Sequence, residues 1–315
     1  RIMPPLHMPR NAASYRRLKN KSIVLDPHAP VNGIVQVIDR DCGDVANAAG
    51  GIYSNLTDMC KWIIVQMNNG KYGEELNKQL FSNEVHKTMW APQTIINVGD
   101  STLYNTHFVS YGLGWVLSDV RGYKQVGHTG GLAGIVTQVT LIPEMKLGII
   151  VFTNQQSGEA FTAITNSIKD SYFGIKGVDR INQNYEGAVK GMGNAKKITD
   201  DIWKDLEVQQ KGSSAIMNDS LYSGTYSDKW FGEVKIAVKN GKLWFDSKRS
   251  PKLTGELLAY KGNTFIVKWK DRSMDADAYV MFYLDNTGKA SEIKMKVISP
   301  LTDFSYDFQD LDFKR

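Results

Sequence analysis

The chain has 315 residues, of which 42% are hydrophobic and 23% charged, with 14 Tyr and 7 Trp, so about two folded domains are expected and disorder is excluded. Its net charge of +5 is spread along the sequence, with Lys196-Lys197 and Lys248-Arg249 as isolated pairs, so no nucleic-acid partner is expected. No apolar run approaches the roughly 18 residues of a membrane span.

The opening, from Arg1 to Asp44, is irregular and punctuated by Pro4, Pro5, Pro9, Pro27 and Pro30. Asp39, Asp41 and Asp44 lack the glycine and closing glutamate of a calcium loop and read as a solvated acidic loop. Leu56, Met59, Cys60, Ile63 and Met67 recur at helical spacing, with Asn55 as N-cap and Asn68-Asn69-Gly70 as stop. That face places Cys60 in the core. With Cys42 as the one other cysteine, no disulfide framework is expected. Strand-like runs follow at 111–118, 123–127, 135–142 and 146–153, the last two joined by a turn at Pro143-Glu144-Met145. Ser157 opens a helix with Phe161, Ile164, Ile168 and Tyr172 on one face, closed by Gly174.

Between 175 and 215, Val178, Ile181, Tyr185 and Val189, then Ile198, Ile202 and Leu206, predict a helical connector packed against its neighbours. From about 221 the pattern is all β, with runs at 234–238, 242–246, 264–269, 278–284 and 292–297. Asn240-Gly241, Gly262-Asn263 and Asn286-Thr287-Gly288 separate them, which suggests a small barrel or sandwich. The fold class is α+β, with a domain at 1–174, the connector at 175–215 and a small β domain at 216–315.

The chemistry signal is His128-Thr129-Gly130-Gly131, just after the 123–127 run and before Gly134. Taken alone it reads as a surface strand end with a glycine turn. His7, His28, His86, His107 and His128 show no paired ligand spacing, so neither metal nor cofactor is expected. The one Ser-x-x-Lys, Ser291-Glu292-Ile293-Lys294, lies in a strand-like run that puts Ser291 and Lys294 on opposite faces, so it is rejected as a nucleophile pair.

Several segments together carry more weight. They are Ile2-Met3-Pro4-Pro5-Leu6-His7-Met8, Ala49-Gly50-Gly51-Ile52-Tyr53-Ser54, Asp58-Met59, Trp62, Asn69-Gly70, Tyr111-Gly112-Leu113-Gly114-Trp115, His128-Thr129-Gly130 and Pro143-Glu144 with Asn154. In this order, over residues 1–174, they resemble the serine β-lactamase-like hydrolases: penicillin-binding proteins, class C β-lactamases and their esterase and D-aminopeptidase relatives. His7 stands where that family's "PLGM" segment usually has glycine. The resemblance implies an antiparallel sheet flanked by helices, and acyl-enzyme chemistry on an ester, β-lactam or D-amino-acid peptide bond of a small-molecule or peptide substrate. It places His128 on an edge strand in a position usually held by lysine. A lysine is charged at neutral pH whereas an ordinary imidazole is mostly neutral, so His128 is a weaker anchor for a substrate carboxylate, though still a donor.

By the same resemblance, Thr129 and Gly130 line the substrate, Gly130 through close backbone approach. Gly131 offers its N–H to an oxyanion, a contact typically worth a hundredfold or more in rate. The family also needs Ser-x-x-Lys and Tyr-x-Asn, both upstream of "PLGM". Tyr53-Ser54-Asn55 fits the second literally but in the wrong place. The nucleophile is therefore expected before Arg1, and this chain is expected to be inert by itself. The family resemblance points to a periplasmic or secreted protein. Tyr222-Ser223-Gly224-Thr225-Tyr226 looks like part of a small β domain appended to such hydrolases. The alternative function is a non-catalytic binding module in which that β domain holds the ligand.

Overall fold

A computed structural model describes residues 1–99, 103–212 and 219–315, and the chain divides into a first unit, Arg1–Tyr185, and a second, Glu186–Arg315. The boundary expected at 215/216 lies outside the described residues. Among the described residues, no helix is long and apolar enough to cross a membrane.

The first unit opens with a hairpin of β1 (His28–Val31) and β2 (Ile34–Val37), then the short α1 (Asn47–Gly50) and α2 (Leu56–Met67). A two-residue pair, β3 (Lys71–Tyr72) with β4 (Lys78–Gln79), leads to α3 (Asn83–Met89). Then come β5 (Thr94–Ile96), β6 (Val109–Tyr111), β7 (Val116–Val120), β8 (Tyr123–Leu132), β9 (Ile135–Ile142) and β10 (Leu147–Thr153). Each pairs antiparallel with the next, giving one six-stranded sheet in chain order. α4 (Gly158–Tyr172) and α5 (Arg180–Gly212) follow.

Side-chain alternation divides this sheet between two cores. Leu117, Val126 and Leu141 pack with Ile63 of α2, Trp90 and Trp115. Val120, Ile142, Leu147, Ile149 and Val151 pack with Phe161 of α4. The Asn55 side chain caps α2 by accepting from Asp58 N, as expected. The buried face differs from the one the apolar spacing gives: Asp58, Ile63, Val65 and Gln66 are buried, while Leu56 and Cys60 are exposed. The physical reason is that α2 has two partners. Ile63 meets the sheet, and Val65 meets Leu6 and Met8 of the opening segment. Both cysteines are free.

The opening segment is anchored, and the irregularity expected over Arg1–Asp44 is broken by the β1–β2 hairpin. Buried Asp58 accepts from Arg10 N, Asn11 Nδ2, Asn55 Nδ2 and Lys61 Nζ. Burial pushes its carboxyl up, and the hydrogen bonds from Asn55, Arg10 and Lys61 overcome that and hold it below the ordinary range. His7 has φ +49°, a left-handed conformation that favours glycine, which accounts for the glycine usual at this place.

The face of α4 is also rotated from its expected position. Phe161, Thr165, Lys169 and Asp170 are buried, whereas Ile164 and Tyr172 are exposed. Asp170 holds Arg180 at the start of α5 through two bonds of 2.6 and 3.0 Å. Farther along α5, Ile181, Tyr185, Val189 and Ile198 are exposed rather than packed, while Leu206 and the partly buried Ile202 pack with Ile266 and Ile298 as expected.

The second unit is a closed antiparallel barrel of β11 (Gly224–Asp228), β12 (Gly232–Lys239), β13 (Lys242–Ser247), β14 (Thr254–Lys261), β15 (Thr264–Trp269), β16 (Ala278–Leu284), β17 (Ala290–Val297) and β18 (Phe313–Lys314). Ser227 opposite Lys314 closes the ring. Asn240 and Gly241 both take positive φ, as a two-residue hairpin turn requires. The interior is filled by Tyr226, Phe245, Phe265, Trp269, Phe282 and Phe313.

Candidate functional site

The segment 111–118 forms two strands. Gly112 N bonds Trp115 O at 2.7 Å, and Leu113 N bonds Met89 O at 3.0 Å. A Cβ on Gly112 would meet Met89 O at 2.4 Å, so only glycine fits there, and Gly114 turns at φ +78°. This turn leaves Tyr111 at the end of β6 and starts β7 at Val116.

His128, Thr129, Gly130 and Gly131 lie inside β8, opposite Val139, Gln138, Thr137 and Val136 of β9. They do not form the glycine turn, which falls at Ala133-Gly134, where Gly134 has φ +73°. In the sheet β8 lies between β7 and β9. The β7 ladder, however, ends at Val116 opposite Gly127. From His128 onward, β8 pairs with β9 alone among the described strands. The strand is thus interior in its first half and an edge in its second.

All four motif residues are exposed. A Cβ on Gly130 would stand 2.5 Å from Thr137 Oγ1, so packing within the sheet keeps that position bare. A Cβ on Gly131 would meet nothing within 4 Å. Behind the strand, Lys169 Nζ donates to Gln125 Oε1 at 2.9 Å and Thr165 Oγ1 donates to Gln138 Oε1 at 2.9 Å, tying β8 and β9 to α4. Lys169 also lies over the Tyr104 ring at 3.9 Å. Its burial, helped by the Arg180 charge, lowers the Lys169 amine to about 8.

His128 is held at both ring nitrogens. Nδ1 is 2.5 Å from the Thr129 carbonyl, and Nε2 is 2.8 Å from the Tyr111 hydroxyl. The two rings meet edge-on, with centroids 5.7 Å apart. Tyr111 is the addition: it carried a family likeness in sequence but no role, and only the glycine turn at 112–114 brings its hydroxyl to a histidine 17 residues on.

The decoys have other roles. Asn55 caps α2, and the backbone of Tyr53 pairs with that of Ala12. Ser291 Oγ donates to Tyr283 O at 3.3 Å and Lys294 Nζ donates to Asp312 at 2.7 Å.

Residues 3–170 match the β-lactamase family, and residues 211–315 match a family described as a domain of unknown function, DUF3471. An unguisins hydrolase, ungD', of Aspergillus campestris is 24% identical over 48% of this chain and 27% of its own length. Beta-lactamase-like protein 1 of Dictyostelium discoideum is 25% identical over 49% of this chain and 25% of its own length. The chain therefore spans about a quarter of these curated relatives. An octameric penicillin-binding protein homologue from Pyrococcus abyssi aligns over 100% of this chain and 58% of its own, with 15% identity and a TM-score of 0.47.

Proposed function

The chain belongs to the β-lactamase family, and from that premise we propose that it forms one wall of a serine-hydrolase site working by acyl transfer on an ester, β-lactam or D-amino-acid peptide bond. The observation that carries this reading is the exposed second half of β8, where His128 to Gly131 lie beyond the end of β7. His128 supplies the polar group at the position usually lysine, Thr129 and Gly130 line the substrate, and the Gly131 N–H serves the oxyanion. The empty space at Gly131 supports an approach from outside, because no neighbour demands a glycine there. The nucleophile and its activating amine come from polypeptide outside these 315 residues, since the sequence's one Ser-x-x-Lys is engaged elsewhere in β17.

The binding-module alternative draws no support from the second unit. Its barrel is filled by aromatic side chains rather than open to a ligand.

In the complete protein, His128→Ala should lower kcat/KM on an amide substrate roughly a hundredfold, because the polar corner built on this imidazole is lost from the transition state. The melting temperature should hardly move, because His128 is exposed and such substitutions usually shift stability by less than about 0.5 kcal/mol. Near-parent rates on ester, amide and β-lactam substrates alike would remove the assignment.

A further inference from the structure

The bonding around His128 has a consequence for which group meets the substrate. A carbonyl oxygen only accepts, so the 2.5 Å contact with Thr129 O puts a proton on Nδ1. A neutral ring then has its lone pair on Nε2, and the Tyr111 hydroxyl, 2.8 Å away, donates to it. With both nitrogens satisfied, the neutral imidazole has no N–H left for a substrate. What the pair still offers is the Tyr111 oxygen, which gives its proton to His128 and keeps lone pairs free to accept.

We infer that Tyr111 is the substrate-facing group of this corner and His128 is its positioning residue, so that the site accepts a hydrogen bond from an N–H of an amide or amine substrate. The inference rests on the hydrolase reading for its substrate, but the pairing of the two rings does not. It reverses the expected role of position 128. A lysine there presents a positive donor to a carboxylate, whereas this pair presents an uncharged acceptor. Three features of the fold support it. The glycine turn fixes the end of β6, the absence of β7 beyond Val116 lets the phenol cross to β8, and the bond lies at the exposed surface.

Ring-nitrogen NMR on this chain, with the His128 signals assigned by a His128→Gln variant, reads the pairing without any turnover. The expected spectrum of the neutral ring is the Nδ1–H tautomer, and Tyr111→Phe shifts the His128 ring signals. A predominant Nε2–H tautomer, or signals unmoved in Tyr111→Phe, overturns the pairing whether or not the protein is a hydrolase.

In the complete protein, residues acting as a unit lose rate non-additively. For an amide-bearing substrate, Tyr111→Phe should cost about as much as His128→Ala, and the double variant no more than either. An otherwise matched ester lacking the N–H should stay within about threefold of the parent rate in Tyr111→Phe, since a hydrogen bond absent from both forms contributes nothing. Additive losses on the amide, or equal losses of Tyr111→Phe on both substrates, would overturn the assignment of Tyr111 to the substrate.

Discussion

The two units end their sheets in opposite ways. In the second, Tyr226, Phe245, Phe265, Trp269 and Phe313 are each no more than 1% exposed inside a ring of eight strands. A closed sheet has no free edge and needs no further partner. In the first, half of β8 lacks a neighbour on one side among the described strands, and Phe108, just before β6, is 77% exposed; exposed apolar rings are not confined to this unit, since Phe304 is 88% exposed. Residues with chemical capacity gather in that open region, at Tyr111 and His128 to Gly131. The candidate site lies where the sheet of the first unit keeps a free edge.

The contrast is sharpest in paired truncations. Trp269 stacks edge-on with Phe245 at 5.4 Å and gives its indole N–H to Ala276 O at 2.6 Å. Trp269→Ala should cost the second unit roughly 3–5 kcal/mol, read from denaturant unfolding. Phe108→Ala should change stability by less than about 0.5 kcal/mol. A comparable loss for Phe108→Ala would mean that the open face is not open.

A smaller, pH-dependent effect concerns Lys169 behind the site. With the buried amine lowered from 10.5 to about 8, the folded state gives up that proton before the unfolded state does. Between these values the unfolded chain binds more protons, so this group makes stability rise with pH. Below about 8 both states hold the proton, and the buried charge weighs fully against the fold. Lys169→Met should therefore flatten the rise in melting temperature across that window. A slope unchanged in the variant would show that Lys169 is not its source.

How much of this was legible in sequence depended on how local the determinants are. Turns with their own chemistry, such as Asn240-Gly241 and Asn286-Thr287-Gly288, marked barrel strands well. β14 escaped notice because Thr254-Gly255-Glu256-Leu257-Leu258-Ala259 does not alternate cleanly, and its strand form comes from pairing with β13 and β15. The faces of α2 and α4 were misplaced because Asp58, Gln66, Thr165, Lys169 and Asp170 are buried polar groups invisible to apolar periodicity. Four of them have partners that sequence spacing does not reveal: Asp58 at Arg10, Thr165 at Gln138, Lys169 at Gln125 and Asp170 at Arg180. The His128 triplet was legible as a motif. Its strand setting and its bond to Tyr111 were not, because both depend on where β7 stops.

The central proposal is that this chain contributes one wall of a hydrolase site and draws its nucleophile from elsewhere. Incubating the purified 315-residue chain with a serine-directed acylating probe, followed by intact-mass measurement and peptide mapping, tests it most directly. The account predicts no stoichiometric mass increase and no labelled serine, Ser291 included. One serine labelled to near one equivalent would place a working nucleophile inside these residues and contradict the account.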